Sequence, residues 1–273
     1  GSALTLFNRK YKKPIVWTPR VRRIFSVMLV LSVIIVAGAS VWGFLGGNGA
    51  ESAFLYGTVA LTGLYCASHM VVLAAVHLLS PVERRINRHY YDEAASILAS
   101  MPGLKVVGIT GSYGKTSTKH YLHRILSEHF ETLMTPGSYN TTLGVIRTVR
   151  EMMKPYTEVF ICEMGAKQRG DIKEICDLVH PDMGIVTAVG PQHLESFKTI
   201  DNVQATKFEL VDALPEDGLA VVNNDFAPIA LRKVDNVECL RYAVKDADAD
   251  YHASDIAYGR NGTDFTIIGP GTE

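Results

Sequence analysis

Val106-Val107-Gly108-Ile109-Thr110-Gly111-Ser112-Tyr113-Gly114-Lys115-Thr116-Ser117-Thr118-Lys119 decides how the rest of the chain is read. The β-rich run 105–110 enters a loop holding Gly111 and Gly114, then leaves through Lys115, Thr116 and Ser117 into a segment with helical patterning. Strand, glycine loop and helix start in that order build a phosphate cradle. Loop N–H groups turn toward an anion, the helix presents its positive end, a lysine neutralises the outer phosphates and a hydroxyl reaches Mg²⁺. The stretch 111–117 therefore predicts ATP or GTP as ligand. The strict Gly-x-x-x-x-Gly-Lys-Ser/Thr spacing asks for glycine at 109, where this chain has Ile109. A plain glycine turn accounts for Gly111 and Gly114, but not for Gly114, Lys115, Thr116 and Ser117 in succession behind a strand.

Outward from this loop, apolar and β-branched runs recur at 132–135, 159–163, 184–189 and 219–223. Helix-like segments lie between them at 115–128, 140–153, 171–179 and 203–214. Such alternation predicts an α/β fold, doubly wound around a mainly parallel sheet, with nucleotide at the carboxyl ends of the strands. Beyond Asp225, strands at 238–243, 251–258 and 264–268 come without helices of similar length and predict a small β extension at the domain edge.

Two further strand ends carry chemistry. In Val-Phe-Ile-Cys-Glu-Met-Gly-Ala (159–166), Glu163 stands where a buried strand runs out, a position suited to a Mg²⁺ ligand; a solvated strand-end residue is the alternative. In 185–195 another strand ends in Gly190-Pro191 and presents His193 and Glu195 on a loop, where a surface histidine is the competing reading. Lys207 sits on an amphipathic helix, and spacing alone leaves it solvated.

The amino-terminal third is of another kind. The chain has 273 residues, a hydrophobic fraction of 47% and a net charge of −1. The apolar excess is concentrated in two uncharged runs, 24–45 and 53–79. As a helix the first would extend roughly 33 Å, enough to cross a bilayer. The second contains His69 and His77. A short Gly-rich link between them predicts a two-helix transmembrane hairpin. Arg9, Lys10, Lys12, Lys13, Arg20, Arg22 and Arg23 precede it and Arg84, Arg85 and Arg88 follow, whereas the link carries only Glu51. Both ends are thus expected in the cytoplasm. The long basic lead-in and the second run disfavour a signal peptide. These basic residues are read as topology and lipid-headgroup contacts, with no nucleic-acid partner. Cys66, Cys162, Cys176 and Cys239 show no Cys-x-x-Cys spacing, which fits a reducing compartment. The expected organisation is a basic lead-in at 1–23, the hairpin at 24–80, an amphipathic linker helix opened by Pro81 at 81–103, and a nucleotide-binding domain at 104–273. A Gly-Ser start and a Gly-Pro-Gly-Thr-Glu end suggest a fragment at both termini.

Five ordered motifs carry a resemblance: Thr-Gly-Ser-Tyr-Gly-Lys-Thr-Ser-Thr-Lys (110–119), Gly-Ser-Tyr-Asn-Thr-Thr-Leu-Gly (137–144), Cys-Glu-Met-Gly-Ala (162–166), Val-Gly-Pro-Gln-His-Leu-Glu (189–195) and Ala-Thr-Lys-Phe-Glu (205–209). Residues 104–273 resemble the central ATP-binding domain of the Mur ligases, most nearly the branch that adds D-alanyl-D-alanine. The resemblance implies that Lys115 and the amides of Gly111, Ser112, Tyr113, Gly114, Thr116 and Ser117 hold the β and γ phosphates. It further implies that Thr116 and Glu163 hold one Mg²⁺ and His193 a second, that Lys207 is a carbamylated lysine, and that Asn140 and Thr141 line the muramyl-peptide channel. It implies an ADP-forming amide ligase that phosphorylates a carboxylate and lets an amine attack the acyl phosphate, joining D-Ala-D-Ala to UDP-MurNAc-tripeptide at the bacterial cytoplasmic membrane, within reach of a cell-wall synthesis complex. Apolar runs are expected here in place of the family's UDP-binding domain, and its carboxy-terminal domain is expected to lie outside these 273 residues. A lipid-linked or other carboxylate acceptor, and a non-catalytic membrane-tethered ATP-binding module, therefore stay open.

Overall fold

A computed structural model describes residues 16–47, 49–191, 197–260 and 262–271. The chain divides into two units between Asn87 and Arg88, within one continuous helix.

In the first unit, α1 (Pro19–Gly46) starts at the Thr18 cap, whose hydroxyl accepts from Val21 N at 3.3 Å. Its 28 residues have a mean hydropathy of 2.6 over the most apolar window, long and apolar enough to cross a bilayer. The helix α2 (Ala50–Cys66) packs antiparallel to it. Gly43 on α1 and Gly57 on α2 are the buried positions of this pair. The second apolar run is not one straight span: α2 stops at Cys66, α3 (Ser68–Ala99) starts anew, and the two are bent by 79°. At the break Ala67 N still bonds to Gly63 O at 2.9 Å, yet the backbone has left regular helix, and α2's 17 residues fall short of the roughly 20 a span needs. Pro81 does not open a helix but lies inside α3. Its missing N–H removes one rung of a 32-residue ladder, and the neighbouring turns carry the helix through.

The second unit is an α/β sandwich around one eight-stranded sheet in the order β2-β3-β1-β4-β5-β6-β7-β8. Its strands are β1 (Lys105–Thr110), β2 (Thr132–Met134), β3 (Val159–Glu163), β4 (Met183–Val186), β5 (Leu219–Asn223), β6 (Glu238–Ala243), β7 (Tyr251–Gly259) and β8 (Gly262–Ile268). All pairings are parallel except the closing β7–β8 hairpin. The β extension thus continues the main sheet.

Alternation along β1 and β3 sets the two layers. Val107, Ile109, Val159 and Ile161 face Leu122 and Leu126 of α4 (Lys115–Leu126). Val106, Phe160 and Cys162 face the other way, into a larger core shared with α5 (Thr142–Met152), α6 (Asp171–Val179) and α7 (Ile200–Asp212). A single turn, α8 (Ala227–Ala230), leads into β6. The helix α7 seats close to the sheet because Leu210 drops onto Gly108 and Gly184: a Cβ at these glycines would stand 2.6 Å and 3.0 Å from its side chain. Leu210 is fully buried.

Leu210→Ala should cost about 2–5 kcal/mol of stability through the cavity it leaves, and Gly108→Ala should also destabilise by overpacking. The double variant is expected to lose less than the sum of the two, because one change makes room for the other. Urea unfolding of the three proteins checks this; strict additivity would count against direct packing.

Candidate nucleotide and metal site

The loops following β1, β2, β3 and β4 gather at the carboxyl edge of the sheet, where strand order reverses around β1. Residues 111–114 turn from β1 into α4, with Gly114 left-handed at the helix start. Gly111 has φ +148°, and a Cβ there would lie 2.1 Å from Thr187 Oγ1 and 2.9 Å from Ala188 N. Only glycine fits that corner.

The loop is braced from beyond β4. The Thr187 hydroxyl donates to the Thr110 carbonyl at 3.1 Å and also reaches the Tyr113 carbonyl. Gly190 N donates to Ser112 Oγ at 3.1 Å. Residues 187–189 therefore leave the strand early, and β4 ends at Val186 instead of reaching 189. The Tyr113 ring packs against Gly190 and is half exposed, while Thr116 and Ser117 are exposed on the first turn of α4.

At the end of β3, Glu163 is buried and surrounded by donors. The Thr116 hydroxyl lies 3.2 Å and 3.1 Å from its two carboxylate oxygens. Asn140 Nδ2 donates to Oε1 at 3.2 Å, and Lys119 Nζ pairs with Oε2 at 2.9 Å. Glu163 N donates to Thr135 Oγ1 at 3.1 Å. Asn140 comes this close because residue 165 is glycine; a Cβ there would stand 2.8 Å from its amide carbon. The carboxylate and hydroxyl are hard oxygen donors of the kind Mg²⁺ takes. Among the described residues no three His, Cys, Asp or Glu side chains group to hold a metal. His193 and Glu195 lie outside the described residues.

Lys115 Nζ folds back onto the Gly111 carbonyl at 2.7 Å. Burial lowers its pKa, and the Glu163 charge works in the opposite direction. Lys207, on α7, is not solvated: its side chain is buried. Burial first, and the Lys115 charge second, push its pKa down to about 8. Lys115, Asn140, Thr141, Gly165, Asp171 and Lys207 line one cavity of 210 Å³. The Thr141 hydroxyl is also the α5 cap, accepting from Gly144 N at 3.3 Å. A larger cavity of 680 Å³ lies at the opposite edge of the sheet, among Leu104, Val149, Met153 and Tyr156. It contains none of these groups.

The structure thus brings Gly111–Ser117, Asn140, Thr141, Glu163 and Lys207 to one edge. The sequence reading assigned no role to Lys119, Thr187 or Gly165. Lys119 carried a usable signal, since it lies four residues after Lys115 and so one turn further along the same helix. Thr187 and Gly165 had none, because their roles arise from contacts between separate loops.

The Mur ligase middle domain family matches residues 109–273. The UDP-N-acetylmuramoyl-tripeptide--D-alanyl-D-alanine ligase of Bacillus subtilis (strain 168) is 31% identical over 167 residues, covering 61% of this chain and 36% of the relative. The enzyme of the same name from Escherichia coli (strain K12) is 33% identical, covering 66% and 40%. Among solved structures, MurF ligase from Thermotoga maritima in complex with ADP superposes with a TM-score of 0.62 at 30% identity, covering 67% of this chain and 42% of that one. MurF from Acinetobacter baumannii gives 0.62 at 26% identity, covering 66% and 40%. The chain spans about two fifths of the length of the relatives it matches.

Gly111→Ala should weaken nucleotide binding by about ten-fold or more, because relieving the clash with Thr187 turns the loop amides away from the phosphates. Calorimetric titration with an ATP analogue checks this, and unchanged affinity would show that the Gly111 corner does not set the cradle.

Proposed function

Because the chain belongs to the Mur ligase family through its middle domain, we propose that the full-length protein is an ATP-dependent, ADP-forming amide ligase that joins D-Ala-D-Ala to UDP-MurNAc-tripeptide. The observation that carries this reading is Thr116 and Glu163 meeting at 3.1 Å beside the phosphate loop and Lys115. A cradle for phosphates alone does not need a buried carboxylate facing the loop's hydroxyl. A cradle that handles a phosphate–cation pair does.

In this reading the amides of 111–117 and Lys115 hold the β and γ phosphates. Thr116 and Glu163 would hold Mg²⁺, with His193 a second ion. Bound there, the cations offset the repulsion that keeps a substrate carboxylate away from the γ-phosphate. The carboxylate oxygen attacks the γ-phosphorus and ADP leaves; the amine then attacks the acyl carbon, phosphate leaves, and the amine proton passes to solvent. No protein nucleophile is required. Asn140 and Thr141 face the same cavity and would orient the acceptor.

Lys207 suits carbamylation. Only a neutral amine adds to CO₂, and a lysine lowered to about 8 supplies that form far nearer neutrality than an ordinary lysine. The product is a carboxylate-like group that would face Mg²⁺.

The apolar α1, with the bent α2–α3 pair, is read as the membrane-facing part, leaving the ligase unit in the cytoplasm. That placement favours a second reading, in which the acceptor is lipid-linked.

The test uses the full-length protein in detergent with ATP, Mg²⁺, D-Ala-D-Ala and UDP-muramyl-tripeptide, with products read by mass spectrometry. A pentapeptide product is expected, falling about 10²–10³-fold in Lys115→Ala, and the activity should stay with alkali-washed membranes. Nucleotide binding without product would sink the UDP-linked reading; product only with a lipid-linked tripeptide would establish the second. In ¹³C-bicarbonate, a carbamate resonance absent from Lys207→Ala is expected. It should grow as pH rises through about 8, since the neutral amine accumulates above the lowered pKa, and a rise only near pH 10 would contradict the buried, depressed lysine.

A further inference from the structure

Lys119 follows Lys115 by one turn of α4, and its side chain is completely buried. A buried ammonium persists only where fixed acceptors replace water. Both of its acceptors belong to the site: Glu163 Oε2 at 2.9 Å and the Gly137 carbonyl at 2.6 Å. Packing alone does not call for a charge here. The apolar face of α4 is supplied by Leu122 and Leu126, and an uncharged chain of similar length would fill the same volume without desolvating a cation.

The pairing also treats the two carboxylate oxygens differently. The Thr116 hydroxyl reaches both oxygens, at 3.1 Å from Oε2 and 3.2 Å from Oε1, but Oε2 alone takes the 2.9 Å ion pair, while Oε1 has instead the neutral Asn140 amide at 3.2 Å. The lysine therefore pins one oxygen and leaves the other as the exchangeable one. Through Gly137 the same ammonium grips the loop that carries Asn140 and Thr141.

We propose that Lys119 is a positioning residue of the phosphate-transfer site. It locks Glu163 Oε2 so that Oε1 and the Thr116 hydroxyl present a fixed pair to Mg²⁺, and it holds the acceptor loop at a set distance from that pair through the Gly137 carbonyl. The inference rests on the reading of Glu163 as a Mg²⁺ ligand.

The experiment measures binding of a non-hydrolysable ATP analogue to the full chain in detergent by calorimetry, once in EDTA and once in Mg²⁺. Wild type should gain affinity from Mg²⁺. In Lys119→Met, affinity in EDTA should stay within about two-fold, because the loop amides and Lys115 are untouched, while the gain from Mg²⁺ should shrink by about 10–100-fold, the usual loss when a group behind a metal ligand is removed. Lys119→Gln, which keeps a donor, should recover part of the gain.

Glu163→Gln separates the two ideas. If it keeps the full Mg²⁺ gain, the metal reading of Glu163 fails and the Lys119 proposal fails with it. If Glu163→Gln loses the gain and folded Lys119→Met keeps it, only the Lys119 proposal is overturned. Equal loss in EDTA and in Mg²⁺, or failure of both Lys119 variants to fold, assigns the residue to stability alone and also overturns it.

Discussion

The carboxylate of Glu163 is the constraint from which the site is built. It emerges at the end of β3, between β1 and β2, and is removed from water together with the Lys119 ammonium. Loss of either charge costs stability, since an uncompensated buried ion is costlier than the pair. Three segments are therefore held at fixed distances: the start of α4 through Thr116 and Lys119, the loop after β2 through Asn140 and Gly137, and the end of β3 itself. The loop after β2 and the start of α4 are thus registered twice, through the shared Glu163 carboxylate and through the Lys119 ammonium on the Gly137 carbonyl.

A second brace comes from beyond β4. Thr187 sits where a strand would ordinarily continue, and its hydroxyl instead supports the carbonyls of Thr110 and Tyr113. Gly111 is the counterpart of that brace, because nothing larger leaves room for the hydroxyl. The loop's shape is thus held by neighbours on both sides before any nucleotide arrives. Such preorganisation keeps ordering costs out of the binding step.

Much of this was legible in the sequence, and the reasons are local. The strands at 105–110, 159–163, 219–223 and 238–243 fall where apolar β-branched runs predict them, because buried parallel strands carry continuous apolar sequence. Helix starts were less legible: α5 begins at Thr142 behind the Thr141 cap and α7 at Ile200 behind the Thr199 cap. The hydroxyls decide those ends, whereas periodicity points only to where the apolar face lies. Lys207 shows the sharper limit. Helical spacing placed it in water, yet α7 turns that face inward over β1 and β4, so burial and the shift toward neutrality came from tertiary packing alone. The Pro81 reading failed for a related reason: a proline is a strong local breaker, but a long helix can run through it when the turns on either side are sound.

The first unit inverts the packing rule that governs the second. Where α1 meets α2 the side chains are small: a Cβ on Gly43 would stand 2.6 Å from the Ser52 carbonyl oxygen, and one on Gly57 2.5 Å from Ser40 Oγ. The large apolar side chains point outward, with Trp42 72% exposed, Leu45 78% and Phe54 79%. In water that arrangement forfeits the hydrophobic effect, because contact between the helices covers glycine and serine while tryptophan and leucine stay wet. In hydrocarbon it is the favourable one, since helices there associate by close backbone approach at small residues and the large ones meet lipid chains at no cost. Arg20, Arg22 and Arg23 stand in the first turns of α1, ahead of its apolar stretch, and Arg84 and Arg85 follow Pro81 in α3, positions where charge returns to water. Small residues inside the helix pair and large apolar ones outside it are therefore an observation separate from hydropathy that favours the membrane-facing reading.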